Sequence, residues 1–174
     1  GESAVDCIRH ALRAVYRSCT DVDSLRVGVL GHSWGAYQSV FFAARTSLFA
    51  AAIAGAPLVN MQSMYNSIYW ENGKTNQELF ETGQARLRQP WWDIPDAYRD
   101  NSPLYFANDI KIPLLLSFGK EDKAVDWAQG LELYLTMRRL GKPCIMLAYI
   151  DEGHTISMPE NEEDQAQRFM QFFN

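Results

Sequence analysis

"VGVLGHSWGAY", residues 27–37, is the stretch that decides the fold. An apolar segment suited to a buried strand leads into a turn of small residues, and a helix-like segment follows. Within it, "GHSWG" fits the pattern G-x-S-x-G, whose glycines permit a tight, strained turn between a strand and a helix. Because such a turn raises the serine hydroxyl above the sheet, we predict that Ser33 is a nucleophile. A five-residue pattern such as this occurs by chance in many chains, so the prediction depends on the flanking sequence and on the other candidate catalytic residues.

Apolar segments and amphipathic segments alternate along the chain. Strands are predicted at residues 25–30, 49–57, 112–119 and 143–150, and helices at residues 3–18, 35–46, 124–141 and 160–174. Strands that are separated by helices form a parallel sheet with both faces covered. The sequence therefore predicts an α/β fold with a mostly parallel sheet of about four strands, flanked by helices.

The first helix is indicated by an apolar stripe. Val5, Ile8, Leu12 and Val15 recur at helical spacing, and Ser3 precedes them as the expected N-cap. The stripe predicts a helix that packs one face against the rest of the domain.

Residues 58–111 break the alternation. This insert is rich in aromatic residues and is interrupted by Pro90, Pro95 and Pro103. A loop of this length without structure is unusual, so we expect short helices, one of them near residues 75–88. The insert either packs over the edge of the sheet or forms a wall of a substrate pocket, and both interpretations stand.

Composition excludes several classes of function. The chain has 174 residues, 47% of them hydrophobic, which suits one domain over residues 1–174 with a substantial core. With 16 basic against 21 acidic residues, it offers no basic surface for nucleic acid or for a membrane. No apolar run reaches the roughly 20 residues that a bilayer span needs. Cys7, Cys19 and Cys144 have neither metal-ligand nor disulfide spacing, so we expect buried thiols and no metal or cofactor.

An acid and a histidine follow later strands in the order that this strand–turn–helix architecture uses. Glu121, Asp122 and Asp126 come after the third strand, and His154 comes after the fourth. Because the carboxyl ends of parallel strands meet at one edge of a sheet, these groups are expected near Ser33. Asp122 is the preferred acid, since Glu121 and Asp126 suit solvated or helix-capping positions. A carboxylate that orients His154 would let its imidazole take the Ser33 proton.

The other two histidines are expected to have no part in the chemistry. His32 precedes the serine and is predicted to point away from it, and His10 lies within the first helix.

Three segments together resemble one family. "GHSWGAY", "LLLSFGKEDKAVDWAQGLELYLTMRRLGKP" and "YIDEGH" are similar to the catalytic domain of the prolyl oligopeptidase family of serine peptidases. The resemblance implies a partial α/β-hydrolase fold, a triad of Ser33, Asp122 and His154, and an oxyanion donor in the backbone N–H of Trp34. It also implies that Tyr65, Tyr69 and Val125 line the pocket for the residue before the cleaved bond, unless the tyrosines are core residues.

The chain also departs from the family. Only 32 residues precede Ser33, whereas the family has further strands and usually a β-propeller there, together with a tyrosine as second oxyanion donor. We therefore expect the C-terminal part of a larger enzyme that lacks the N-terminal strands. The strand at residues 25–30 would then be an edge, and we expect the chain either to pair this edge with a second copy or to rearrange its first helix to cover it. The resemblance leans toward exported bacterial members of the family.

Three functions follow from these observations. The first is a serine peptidase that cleaves peptides through an acyl-enzyme, and the second is a carboxylesterase with the same machinery. The third is a non-catalytic module that associates with itself or with a partner. The sequence favours the peptidase.

Overall fold

The computed structural model describes residues 1–174 and contains seven α-helices, one 3-10 helix and six strands. The helices are α1 Glu2–Ser18, α2 Trp34–Arg45, α3 Met61–Tyr65, α4 Gln77–Glu81, α5 Pro95–Asp100, the 3-10 helix Pro103–Asp109, α6 Ala128–Arg139 and α7 Pro159–Phe173. The strands are β1 Gly28–His32, β2 Ala51–Gly55, β3 Ile68–Tyr69, β4 Lys74–Thr75, β5 Leu114–Gly119 and β6 Cys144–Tyr149.

The main sheet has the order β1-β2-β5-β6, and every pair in it is parallel. All six residues of β5 are buried, as expected for an inner strand with a helix layer on each face. α2 and α6 cover one face, where Val40, Leu116 and Leu133 share one apolar cluster. On the other face, Gln165 of α7 donates a hydrogen bond to the Ser117 hydroxyl at 2.8 Å. The α/β fold and the four parallel strands flanked by helices are confirmed.

β1 is an edge strand, since it pairs with β2 alone. The expectation that this strand is an edge is confirmed. Its apolar composition, which is typical of a strand buried in a sheet, does not lead to full burial, because Leu30 is 55% exposed. The strand also begins later than predicted. Asp23 accepts a hydrogen bond from the N–H of Leu25 and, through its backbone carbonyl, one from Arg26. This turn keeps Leu25 out of the sheet and 84% exposed.

Three further expectations about local structure are corrected. Helix α1 begins at Glu2 with Gly1 as its N-cap, so Ser3 lies inside the helix, and Val15 of the stripe is exposed. Cys7 and Cys19 are exposed, since Cys7 lies off the apolar stripe of α1 and Cys19 follows the last residue of that helix, and only Cys144 is buried.

The insert holds short helices, as predicted, but the helix near residues 75–88 is only five residues long. α4 ends before Gly83, where an added Cβ would approach the Leu79 carbonyl to 3.0 Å. The chain then turns through Arg86 and Arg88, both at positive φ. An antiparallel pair of short strands, β3 and β4, precedes α4. None of the helices is long and apolar enough to cross a membrane.

The turn between β1 and α2 depends on Gly31. Replacing Gly31 with alanine is expected to destabilise the fold by about 3 kcal/mol, a fall in Tm of roughly 10 °C. The reason is that the new Cβ would collide with the backbone carbonyl of Gly35. Thermal unfolding followed by circular dichroism measures the change. Gly35→Ala is the matched control, since no atom lies within 4 Å of its added Cβ, and equal losses in both variants would contradict the steric argument.

Candidate active site

Ser33 lies in the sharp turn that joins β1 to α2. Its backbone has φ 56° and ψ −121°, a conformation that is costly for a residue with a side chain. Two hydrogen bonds fix it: the Ser33 N–H donates to Gly55 at 2.8 Å, and the Ser33 carbonyl accepts from Tyr37 at 3.0 Å. The turn therefore holds the hydroxyl at the carboxyl end of β1.

Asp122 follows β5, and none of its side-chain surface is exposed. Oδ1 accepts hydrogen bonds from the backbone N–H groups of Ala124 at 2.8 Å and Val125 at 2.9 Å. These bonds turn the second oxygen, Oδ2, toward the loop after β6. The other two acids after β5 are exposed: Glu121 has no side-chain partner, and Asp126 accepts from the N–H of Ala128 at the start of α6.

His154 lies between these two groups. Its Nδ1 is 2.8 Å from Asp122 Oδ2, and its Nε2 is 2.9 Å from Ser33 Oγ. A carboxylate only accepts hydrogen bonds, so Nδ1 carries the proton and Nε2 is free to accept from the serine hydroxyl. Both distances are thus satisfied by one neutral tautomer. Three side chains that are far apart in the sequence meet in a single chain of hydrogen bonds.

A cavity of about 160 Å³ opens beside Ser33 and His154. Its remaining lining is Trp34, Leu58, Met64, Tyr69, Leu79, Gln84, Ala124 and Val125. No Asp, Glu, Lys or Arg side chain lines it. The Trp34 N–H, the first of α2, makes no hydrogen bond within the protein, as is usual for the first turn of a helix.

The prolyl oligopeptidase family model matches residues 2–174. The chain belongs to this family. Among curated relatives, the acylamino-acid-releasing enzyme of Rattus norvegicus is 29% identical over 143 residues, which make up 82% of this chain and 19% of that enzyme. The chain therefore spans about a fifth of the length of that relative.

Solved structures place the chain in the same fold as other peptidases. A puromycin-hydrolyzing peptidase of Mycobacterium tuberculosis matches with a TM-score of 0.82 at 22% identity, over 94% of this chain and 23% of that one. An acylaminoacyl peptidase in complex with Z-Gly-Gly-Phe-chloromethyl ketone matches with a TM-score of 0.76 at 25% identity, over 93% and 25%. The resemblance and the partial α/β-hydrolase fold that it implies are confirmed.

The pocket residues implied by the prolyl oligopeptidase resemblance separate in the structure. Tyr69 and Val125 line the cavity beside Ser33, but Tyr65 does not. Tyr65 is 1% exposed, and its hydroxyl donates to Glu81 at 2.7 Å. Burial and this carboxylate together raise the pKa of Tyr65 to about 12. Its ring packs edge-on against Phe80, Trp92 and Tyr98, so it is a core residue of the insert.

His32 also differs from the expectation. The sequence predicts that it points away from Ser33 and has no part in the chemistry, but its ring centroid lies 4.8 Å from that of His154. Burial, and secondarily the nearby His154, lower the pKa of His32, while Asp122 opposes the shift. The signal that could have revealed this contact is the strand alternation of β1, which turns His32 to the face opposite Val29 and Gly31. His10 lies on α1, and its one hydrogen bond is to the Asp6 carbonyl of the same helix.

The chain contains no group of three or more His, Cys, Asp or Glu side chains that could hold a metal ion.

Proposed function

We propose that the protein is a serine peptidase in which Ser33, His154 and Asp122 hydrolyse peptide bonds through an acyl-enzyme. One observation supports this proposal above all: the continuous hydrogen-bonded path from Ser33 Oγ through the imidazole to the buried carboxylate of Asp122. A nucleophile, a base and a group that orients the base, all within hydrogen-bond distance, are what nucleophilic acyl transfer requires.

The reaction follows from the positions of the protons. Ser33 Oγ attacks the carbonyl carbon of the substrate while His154 Nε2 takes the hydroxyl proton. Asp122 stabilises the imidazolium, and the free N–H of Trp34 donates to the oxyanion that forms. The tetrahedral intermediate then expels the amine, which receives its proton from His154. Water, deprotonated by His154, attacks the acyl-enzyme and releases the acid and Ser33.

We infer that the residue before the cleaved bond is apolar. Tyr69, Val125 and Leu58 surround the space next to Ser33, and no carboxylate or ammonium group there would pair with a charged side chain. The similar acylaminoacyl peptidase that holds Z-Gly-Gly-Phe-chloromethyl ketone supports an aromatic residue at this position. We therefore propose that Tyr69 and Val125 contact the substrate and that Tyr65 does not.

A substrate panel tests the proposed function. The protein is incubated with chromogenic peptides that carry Phe, Leu, Lys or Glu before the cleaved bond, with an aryl ester, and with a fluorophosphonate probe. We expect covalent labelling of Ser33 and at least a tenfold higher kcat/KM for Phe and Leu than for Lys and Glu. Hydrolysis of the ester but of no peptide would favour a carboxylesterase. Absence of labelling in the folded protein would favour a non-catalytic module.

A further inference from the structure

Glu152 is a buried carboxylate to which the proposed reaction assigns no role. It precedes His154 by two residues and is 1% exposed. Its Oε1 accepts hydrogen bonds from the Met158 N–H and the Asn161 side-chain amide, both at 2.9 Å. Its Oε2 accepts from Ser157, from the N–H at 2.8 Å and from the hydroxyl at 3.2 Å. All four donors are neutral, and they belong to residues just before α7 (Ser157 and Met158) and in its first turn (Asn161).

These four bonds keep the carboxylate charged although it is buried. Burial alone raises the pKa of Glu152, but the hydrogen bonds from Asn161, Met158 and Ser157 outweigh burial and lower it below the usual value. The four donors hold the carboxylate of Glu152 firmly in place, because a hydrogen bond to a charged acceptor is stronger than one between neutral groups. The loop from Glu152 to Ser157 is therefore closed by the side chain of its own first residue.

The main chain of Glu152 makes a second connection. Its carbonyl accepts a hydrogen bond from the N–H of Glu121 at 2.8 Å, next to Asp122. The two loops approach so closely that a Cβ on Gly119 would collide with the carbonyls of Glu152 and Gly153. Glu152 thus joins the loop of Asp122, through its carbonyl, to the start of α7, through its carboxylate.

His154 has few other anchors. Between Asp151 and Glu160, only Glu152 and Ile156 are buried, and the side chain of His154 is 22% exposed. Asp151, the residue before this loop, has a positive φ of 60°, a conformation that needs support from its surroundings. The position of the imidazole therefore depends on what closes the loop beyond Asp151.

We propose that Glu152 is a positioning residue that holds His154 in line with Ser33 and Asp122. The inference rests on the proposed function, because it assigns Glu152 a role in the same reaction. Glu152 touches neither substrate nor the reacting atoms. It acts by fixing the loop on which the imidazole is carried.

Glu152→Gln tests the proposal with almost no change in shape. The amide has one acceptor oxygen, so its NH₂ group would face either the Ser157 donors or those of Met158 and Asn161. We expect kcat to fall on the order of 100-fold, the effect of a displacement of about 1 Å, while KM stays within about twofold. Glu163→Gln is the matched control: Glu163 lies exposed on α7, bonds only Gln167 and should leave kcat unchanged.

A spectroscopic measurement separates positioning from general stability. The His154 Nδ1 proton that bonds Asp122 should give a strongly downfield proton resonance in the wild type and in Glu163→Gln, and should be lost in Glu152→Gln. If Glu152→Gln fails to fold, Asn161→Asp replaces it. This substitution keeps the size of the side chain but places a carboxylate against Glu152 Oε1, and it should lower kcat at least tenfold.

The outcomes distinguish the two proposals. Wild-type kcat and an intact downfield resonance in Glu152→Gln, or in Asn161→Asp where that variant stands in, would overturn the positioning role. Such a result would leave the peptidase proposal in place. If the wild type itself cleaves no peptide, the proposed function fails, and the resonance alone then decides whether Glu152 orders His154.

Discussion

Replacing Ser33 with alanine is expected to lower kcat for peptide hydrolysis by about 10⁶-fold. The methyl group cannot form the acyl bond. The hydroxyl, whose oxygen lies 2.9 Å from His154 Nε2, is removed together with the proton that Nε2 would accept. What remains is water attack assisted by binding and by the Trp34 N–H, which is a residual acceleration of roughly 10³-fold to 10⁴-fold over solution. Steady-state kinetics with a chromogenic peptide measure the loss.

Two controls accompany the Ser33 variant. Ser47→Ala removes an exposed hydroxyl from the loop before β2, at the end of the strands opposite to the site. This variant should retain wild-type kinetics. The Tm of Ser33→Ala should lie close to that of the wild type, because no other group than His154 hydrogen-bonds to the hydroxyl. Hydrolysis by Ser33→Ala at the wild-type rate would show that the nucleophile lies elsewhere.

The sheet could be predicted from the sequence because its signals are local. β2, β5 and β6 are continuous apolar runs, and each is bounded by a turn or a helix. Their order in the chain, with helices between them, permits few arrangements other than a parallel sheet. Once the sheet is parallel, residues that follow β1, β5 and β6 must lie at one edge. The family resemblance then indicates which of the residues at that edge form the predicted triad.

The sequence is least informative where tertiary contacts decide. Tyr65 and Tyr69 are four residues apart and differ little in sequence context, yet one packs among Phe80 and Tyr98 while the other faces the cavity. The fold of the insert separates them, and no periodic pattern records that fold. The start of β1 is mispredicted for a local reason. The side chain of Asp23 forms a turn with the backbone of Leu25, and this turn competes with the strand propensity of Leu25.

Glu152 illustrates a signal that is present in the sequence but cannot be interpreted there. It belongs to the segment "YIDEGH" that supports the resemblance. A glutamate in a loop is usually solvated, and its donors are recognisable only once α7 is known to begin at Pro159. The Ser157 hydroxyl and the Asn161 amide have no distinctive spacing that would identify them as partners of a buried carboxylate.

Asp122→Asn is the second substitution with a large expected effect, a fall in kcat of about 10⁴-fold at neutral pH. The geometry gives the reason. The N–H groups of Ala124 and Val125 both donate to Oδ1, so the amide oxygen of the new side chain must occupy that position. The NH₂ group then faces His154 Nδ1 and donates to it. The imidazole proton is forced onto Nε2, where it points at Ser33, so that Nε2 cannot accept the hydroxyl proton.

This argument makes Asp122→Asn more informative than a truncation, because the fold and the shape of the site are retained while the tautomer of His154 is reversed. We expect slow fluorophosphonate labelling of Ser33, loss of the downfield Nδ1 proton resonance and a Tm within a few degrees of the wild type. Asp126→Asn is the matched control, since the asparagine oxygen can still accept from Ala128 at the start of α6. Full activity in Asp122→Asn would mean that the carboxylate is not needed to orient the imidazole. Equal losses in both variants would point to a disturbance of the whole loop after β5 instead of the proton on His154.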